Sequence, residues 1–132
     1  MALFVHKYGG TSVGSVERIQ HVASKVMAAR ARGESVVVVV SAMSGETNKL
    51  VAYAKEAQKT PDPREMDVIL STGEQVTIGL LAMALREKGC PAISFTGAQV
   101  PILTDAAHTK ARILEIPTDR IQAALDQGQV VI

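Results

Sequence analysis

Val36-Val37-Val38-Val39-Val40 is an unbroken run of five valines. A strand with one wet face alternates apolar and polar residues. A continuous β-branched run instead fits a parallel strand covered on both faces. Upstream, apolar side chains at Val16, Ile19, Val22, Val26 and Met27 recur at helical spacing between Ser15 and Arg32, and Gly33 ends that stretch. Before it, Leu3-Phe4-Val5-His6 reads as a first short strand. Downstream, a polar turn over Ser41–Gly45 leads into a helix near Thr47–Lys59 with Leu50, Val51 and Ala54 inward. Pro61-Asp62-Pro63 breaks the chain. A long helix then runs over Arg64–Lys88, with Met66, Ile69, Leu70, Val76, Leu80, Leu81 and Leu85 facing the core. Gly89 closes it; strands follow at Ala92–Phe95 and Ala111–Ile116, with residues 97–110 as loop carrying one short strand. Thr118 caps a last helix that Gly128 ends, and Gln129–Ile132 begins another apolar strand. Strands alternating with helices imply an α/β fold, a three-layer αβα sandwich on a mostly parallel sheet.

The 132 residues suit one domain, 47% hydrophobic and 20% charged, which is globular rather than disordered composition. With 14 Lys and Arg against 13 Asp and Glu there is no basic excess for nucleic acid, and 3% aromatics without Trp leave no base-stacking platform. The valine run is too short to cross a bilayer, and the first residues lack the basic and apolar regions of a secretory signal. Neither nucleic acid nor membrane is expected as a partner. The lone Cys90, between Gly89 and Pro91, reads as a small buried thiol and excludes an internal disulfide. A cytoplasmic setting is the expectation. A final strand that breaks off where a central one should continue suggests one unit that is a piece of a larger domain.

Chemistry concentrates in the turns. Lys7-Tyr8-Gly9-Gly10-Thr11-Ser12-Val13-Gly14 lies between the first strand and the first helix, with three glycines in six residues. Bare backbone N–H groups, the positive end of a helix, the Lys7 ammonium and the Thr11 and Ser12 hydroxyls together make a phosphate cradle. The pattern is neither a Walker A motif nor G-x-G-x-x-G. A tight βα turn that needs glycine for geometry alone is the competing reading. The second turn, with Ser41, Ser44, Gly45 and Thr47, belongs on the same rim, because ligands in parallel sheets bind at the carboxyl ends of strands. Glu74, in Ser71-Thr72-Gly73-Glu74-Gln75, offers a carboxylate beside a glycine that a plain helix would not choose. It suits a substrate ammonium group, or it is a solvated helix acid. His21 reads as surface, His6 as core or support, and His108 as unassigned. No spacing argues for a protein-held metal.

Taken in order, Lys7–Val13, Val36–Asn48, Leu70–Glu74, Phe95–Gln99 and Ala111–Ile113 make the whole chain resemble the aspartate kinases. The resemblance implies the amino acid kinase fold, Rossmann-like, and ATP-dependent phosphorylation of the side-chain carboxylate of L-aspartate, the first step toward lysine, threonine, methionine and diaminopimelate. It implies that Lys7 lies against the ATP phosphates and stabilises the transferring phosphoryl group, with Gly9 and Gly10 shaping the loop. Thr47 and Glu74 match aspartate-binding positions, and Ser41 matches the site rim. Mg²⁺ is expected to ride on the nucleotide phosphates, and a homo-oligomer is expected of the full-length protein. Full members continue with a Gly-Phe-x-Gly segment, a Gly-Arg-Gly-Gly-Ser-Asp motif and regulatory ACT domains. Residues 1–132 are thus expected to be the N-terminal portion of the catalytic domain, without turnover alone. Two alternatives stay open: a relative acting on glutamate, acetylglutamate, carbamate or UMP, and a non-catalytic binding or assembly module.

Overall fold

The computed structural model describes residues 1–132. Strands are β1 (Leu3–Tyr8), β2 (Ser35–Val40), β3 (Ala92–Ile93), β4 (Leu103–Thr104), β5 (Ile113–Glu115) and β6 (Val130–Val131). Helices are α1 (Val16–Ala31), α2 (Glu46–Ala57), α3 (Pro63–Glu87) and α4 (Asp119–Asp126), with a 3₁₀ turn over Gly10–Val13. The main sheet is wholly parallel, in the order β1-β2-β6-β3. β4 and β5 form a separate antiparallel ribbon. The expected strand over Ala111–Ile116 is therefore shorter than the sequence suggests and outside the main sheet, where Ile113 and Leu114 are exposed.

Local chemistry accounts for the helix ends. Ser15 Oγ accepts the Arg18 N–H and opens α1; Asp62 accepts the Glu65 N–H and opens α3, with Pro63 in its first turn. Gly33, Gly89 and Gly128 follow α1, α3 and α4 at φ of +82°, +75° and +75°, conformations costly for other residues. Thr118 departs from expectation: its side chain makes no capping bond, and only its carbonyl accepts from Gln122 N–H. α2 starts one residue before Thr47, after Gly45 at φ +84°.

Register partners in a parallel sheet share a face. One face carries Val36, Val38, Val130 and Ala92, packed under Ile19, Val22 and Val26 of α1 and Leu81 and Leu85 of α3. Each such large side chain contributes about 1.5–3 kcal/mol on burial. The opposite face carries Val37, Val39 and Val131, and Ile121 of α4 borders the same space, giving three layers. Here the valine run departs from expectation. Val36 and Val38 are buried, but Val39 is 46% exposed, and Val37–Val40 all border a cleft instead of being covered on both faces. Val16 and Val76, expected inward, are exposed on the outer sides of α1 and α3. Cys90 is buried in the core, and that burial pushes its thiol pKa up, partly offset by the charge of Arg30. α3 is long and apolar enough, by length and composition, to cross a membrane. It is packed against α1, α2 and the sheet, with Gly73, Thr77, Leu81, Ala82 and Leu85 buried.

Candidate functional site

β1 runs to Tyr8, two residues beyond the expected Leu3–His6, so strand geometry sets the direction of Lys7. Lys7 pairs with Val39 and stands on the face of the sheet opposite the core, while His6 and Tyr8 turn toward the core face. Lys7 is exposed and has no acidic group within ion-pair distance. Tyr8 packs against the core, and burial raises its phenol pKa. His6 is half-buried, its ring set edge-on to Tyr8 at 6.2 Å, with Nδ1 unpartnered. His21 is exposed on α1.

Beyond β1 the chain turns at Gly9 into the 3₁₀ turn. The Gly9, Gly10 and Thr11 N–H groups donate to no acceptor outside the turn, while Ser12 N–H donates to the Gly9 carbonyl, 3.0 Å. A Cβ at Gly9 would meet nothing within 4 Å, so the corner is open. The other two glycines serve packing. A Cβ on Gly10 would sit 3.1 Å from the Ala42 carbonyl oxygen, and one on Gly14 3.3 Å from Ser44 Cβ. Of the three glycines, only Gly9 has open space around it. Gly10 and Gly14 instead let the first turn lie flat on the second.

The second turn is gripped from the other side by α3. A Cβ on Gly73 would lie 2.9 Å from Ala42 Cβ, closer than real atoms approach, which explains this glycine inside a helix. The next residue, Glu74, accepts the Ala42 N–H at Oε1, 3.2 Å. Ala42 is 4% exposed and is where all three motif segments meet: Gly10 on its carbonyl, Gly73 on its Cβ, Glu74 on its N–H. Glu74 is exposed on α3 yet tied to the second turn. One oxygen is anchored and its side chain borders a cleft of about 490 Å³.

That cleft is mainly apolar, bordered by Val37–Val40 of β2, by the chain end at Val131 and Ile132, by Glu74 and Ile78 of α3, and by Phe95, Val100 and Ile102 of the segment after β3. Of the sequence-selected residues only Glu74 lines it. Ser41 and Thr47 belong to the second turn and first turn of α2; Lys7, Gly9, Gly10, Thr11 and Ser12 lie along the neighbouring corner. No group of three or more His, Cys, Asp or Glu side chains is placed to hold a metal ion. Sequence reasoning missed one polar contact altogether: His108 Nδ1 lies 2.9 Å from Asp67 Oδ2 on α3. Their 41-residue separation gives no local signal.

The model of the amino acid kinase family matches residues 2–132. The chain belongs to that family. Among family relatives, the aspartate kinase of Stutzerimonas stutzeri is 63% identical over 132 residues, all of this chain and 32% of that protein. The aspartokinase of Pseudomonas aeruginosa is 62% identical over the same span, again 32% of its length. The chain thus spans about a third of the curated relatives it matches. Among solved structures, the aspartate kinase of Synechocystis superposes with a TM-score of 0.81 at 49% identity, over 98% of this chain and 21% of that one. Escherichia coli aspartokinase III, in complex with aspartate and ADP, gives a TM-score of 0.82 at 22% identity, over 99% and 40%, a likeness of fold alone.

Proposed function

We propose that residues 1–132 are the N-terminal part of the catalytic domain of an aspartate kinase, which transfers the γ-phosphoryl group of ATP to the side-chain carboxylate of L-aspartate. The products are 4-phospho-L-aspartate and ADP, the first step toward lysine, threonine, methionine and diaminopimelate. The observation that carries this reading is the meeting of three motif segments on Ala42, which puts the Lys7 corner, the Ser41–Thr47 turn and Glu74 along one rim. The names of the similar proteins support it, as does the aspartate and ADP bound in a neighbour of like fold. A cytoplasmic setting and a homo-oligomeric whole protein belong to the same reading.

The chemistry asks little of a protein base. A carboxylate with an ordinary pKa near 4 is already ionised at pH 7. The obstacle is an anion attacking a polyanion, so positioning and charge cancellation are what must be supplied. In this reading Lys7 meets the phosphates with an ammonium that no protein carboxylate neutralises. The Gly9, Gly10 and Thr11 N–H groups add donors, with Thr11 and Ser12 hydroxyls beside them. Mg²⁺ carried on the phosphates supplies further cancellation of negative charge. Glu74 holds the α-ammonium of aspartate with the oxygen that Ala42 leaves free, and Ser41 and Thr47 complete the substrate rim.

Two measurements test the reading. The 132-residue chain alone is expected to show no aspartate-dependent ADP release in a coupled assay; steady turnover would overturn the assignment of the remaining contacts to the rest of a longer protein. For Glu74, a chimaera is used that joins this chain to the remaining two thirds of its Stutzerimonas stutzeri relative. Glu74→Gln keeps an oxygen for the Ala42 N–H and removes only the charge. It is expected to raise the KM for aspartate at least about tenfold, the worth of a charge-assisted hydrogen bond, and to leave the KM for ATP within twofold. An unchanged aspartate KM would remove Glu74 from the ammonium role.

A further inference from the structure

Glu74 is exposed on α3, and a long side chain at an exposed position is free to sample several rotamers. The Ala42 N–H, 3.2 Å from Oε1, is the carboxylate's one hydrogen-bond partner within the chain, and no cationic side chain lies within ion-pair distance. That N–H has no other acceptor, and Ala42 is 4% exposed. The donor is a buried backbone group and the acceptor the end of a flexible side chain, so the turn orients the carboxylate. One oxygen is held, and the other is left without a partner beside the cleft.

Ala42 reaches this place because residue 73 has no side chain. A Cβ on Gly73 would lie 2.9 Å from Ala42 Cβ and 3.5 Å from Leu50 Cδ1. The Leu50 distance is ordinary contact. Ala42 Cβ is bonded directly to the backbone and has no rotamer that would take it aside, so the turn itself would have to move. Gly73 and Glu74 therefore act on one residue, the first by leaving room for its Cβ and the second by accepting its N–H. On the far side Gly10 only leaves room: the Ala42 carbonyl accepts no hydrogen bond from the first turn. We propose, on the aspartate kinase reading above, that Ala42 is the positioning residue for Glu74. Its N–H sets the carboxylate for the substrate ammonium before aspartate arrives, and Gly73 keeps that N–H in place. An acceptor ordered beforehand loses less freedom on binding, so the benefit falls on aspartate affinity and leaves phosphoryl transfer untouched.

Nuclear magnetic resonance of the 132-residue chain reads the contact directly. The Ala42 amide proton is expected to shift as the Glu74 carboxylate is protonated in an acid titration, and Glu74→Gln should abolish that shift. Gly73→Ala leaves donor and acceptor both present and is expected to lose most of it. In the chimaera the same variant should raise the KM for aspartate about fivefold, with kcat and the KM for ATP staying within about twofold. Adding Ala42→Gly keeps the N–H and removes the obstructing methyl, so it should reverse more than half of both changes. An amide shift that survives Gly73→Ala overturns the proposal. So does a lost shift with an unchanged aspartate KM, or a KM that stays raised in the double variant. A parent chimaera without aspartate-dependent turnover is a separate result, which overturns the underlying reading and the role of Ala42 with it. Should Gly73→Ala lose its native circular dichroism, Gly10→Ala presses on Ala42 from the other side, at 3.1 Å, where a smaller displacement relieves the contact. It is expected to weaken the amide shift and raise the aspartate KM at least about twofold, and no change in either would equally overturn the proposal.

Discussion

In the chimaera described above, Lys7→Glu is expected to lower kcat for aspartate-dependent ADP release about a thousandfold. Loss of one preorganised donor at a developing charge typically costs 10²–10³ in rate, and reversal puts a carboxylate against the phosphates as well. Lys7→Met, which only removes the charge, should lie near the lower end of that range. The fold has little reason to suffer. Lys7 is exposed, forms no ion pair, and its strand partner Val39 is itself 46% exposed. Circular dichroism should therefore be unchanged in both variants. A charge-reversed enzyme with parental kcat would end the assignment of Lys7 to the phosphates, and with it most of the proposed chemistry.

Gly73→Val is expected to destabilise the 132-residue chain by about 3 kcal/mol, read from the midpoint of urea unfolding at constant slope. Helix propensity alone gives the opposite sign for removing a helical glycine, by up to about 1 kcal/mol. Packing wins because the added Cβ would meet Ala42 Cβ at 2.9 Å, and Ala42 is fixed on its other sides by Gly10 and Glu74. Gly79, six residues on in the same helix, supplies the control. A Cβ there meets nothing within 4 Å, so Gly79→Ala should stabilise by about 1 kcal/mol. Ala42→Gly should recover part of the loss in Gly73→Val, since it removes the atom that the added Cβ meets. Equal effects at positions 73 and 79 would mean that contact with the second turn is not what demands glycine at 73.

Much of this architecture is legible in the residues. The valine run, the helical spacing of Ile19, Val22 and Val26, and the glycines at 33, 89 and 128 place β2, α1 and three helix ends within a residue or two of where they stand. What misleads is periodicity without knowledge of neighbours: Val76 has helical spacing yet lies outward, because the buried side of α3 runs through Gly73, Thr77, Leu81 and Leu85. The ribbon is the larger departure. Ala111–Ile116 has strand composition, and nothing local says whether such a stretch joins a sheet or pairs with Leu103–Thr104 beside it. For the candidate site, residue types and order single out the turns, but their meeting on Ala42 cannot be read from spacing. It depends on two adjacent residues of α3 arriving against a loop some thirty residues earlier. Gly10 shows the same limit: sequence suggests openness to a ligand, whereas the atoms next to it belong to the protein.

The order β1-β2-β6-β3 has a bearing on synthesis. β3 joins the sheet solely through β6, and Val130 and Val131 are translated some forty residues after Ala92. While the ribosome is still extending the chain, β1 and β2 can zip together beneath α1, but β3 has no edge to add to. The nascent chain must therefore carry an unpaired strand until its middle plank emerges from the exit tunnel, a delay expected to invite chaperone binding and to make late truncations far more damaging than early loop changes.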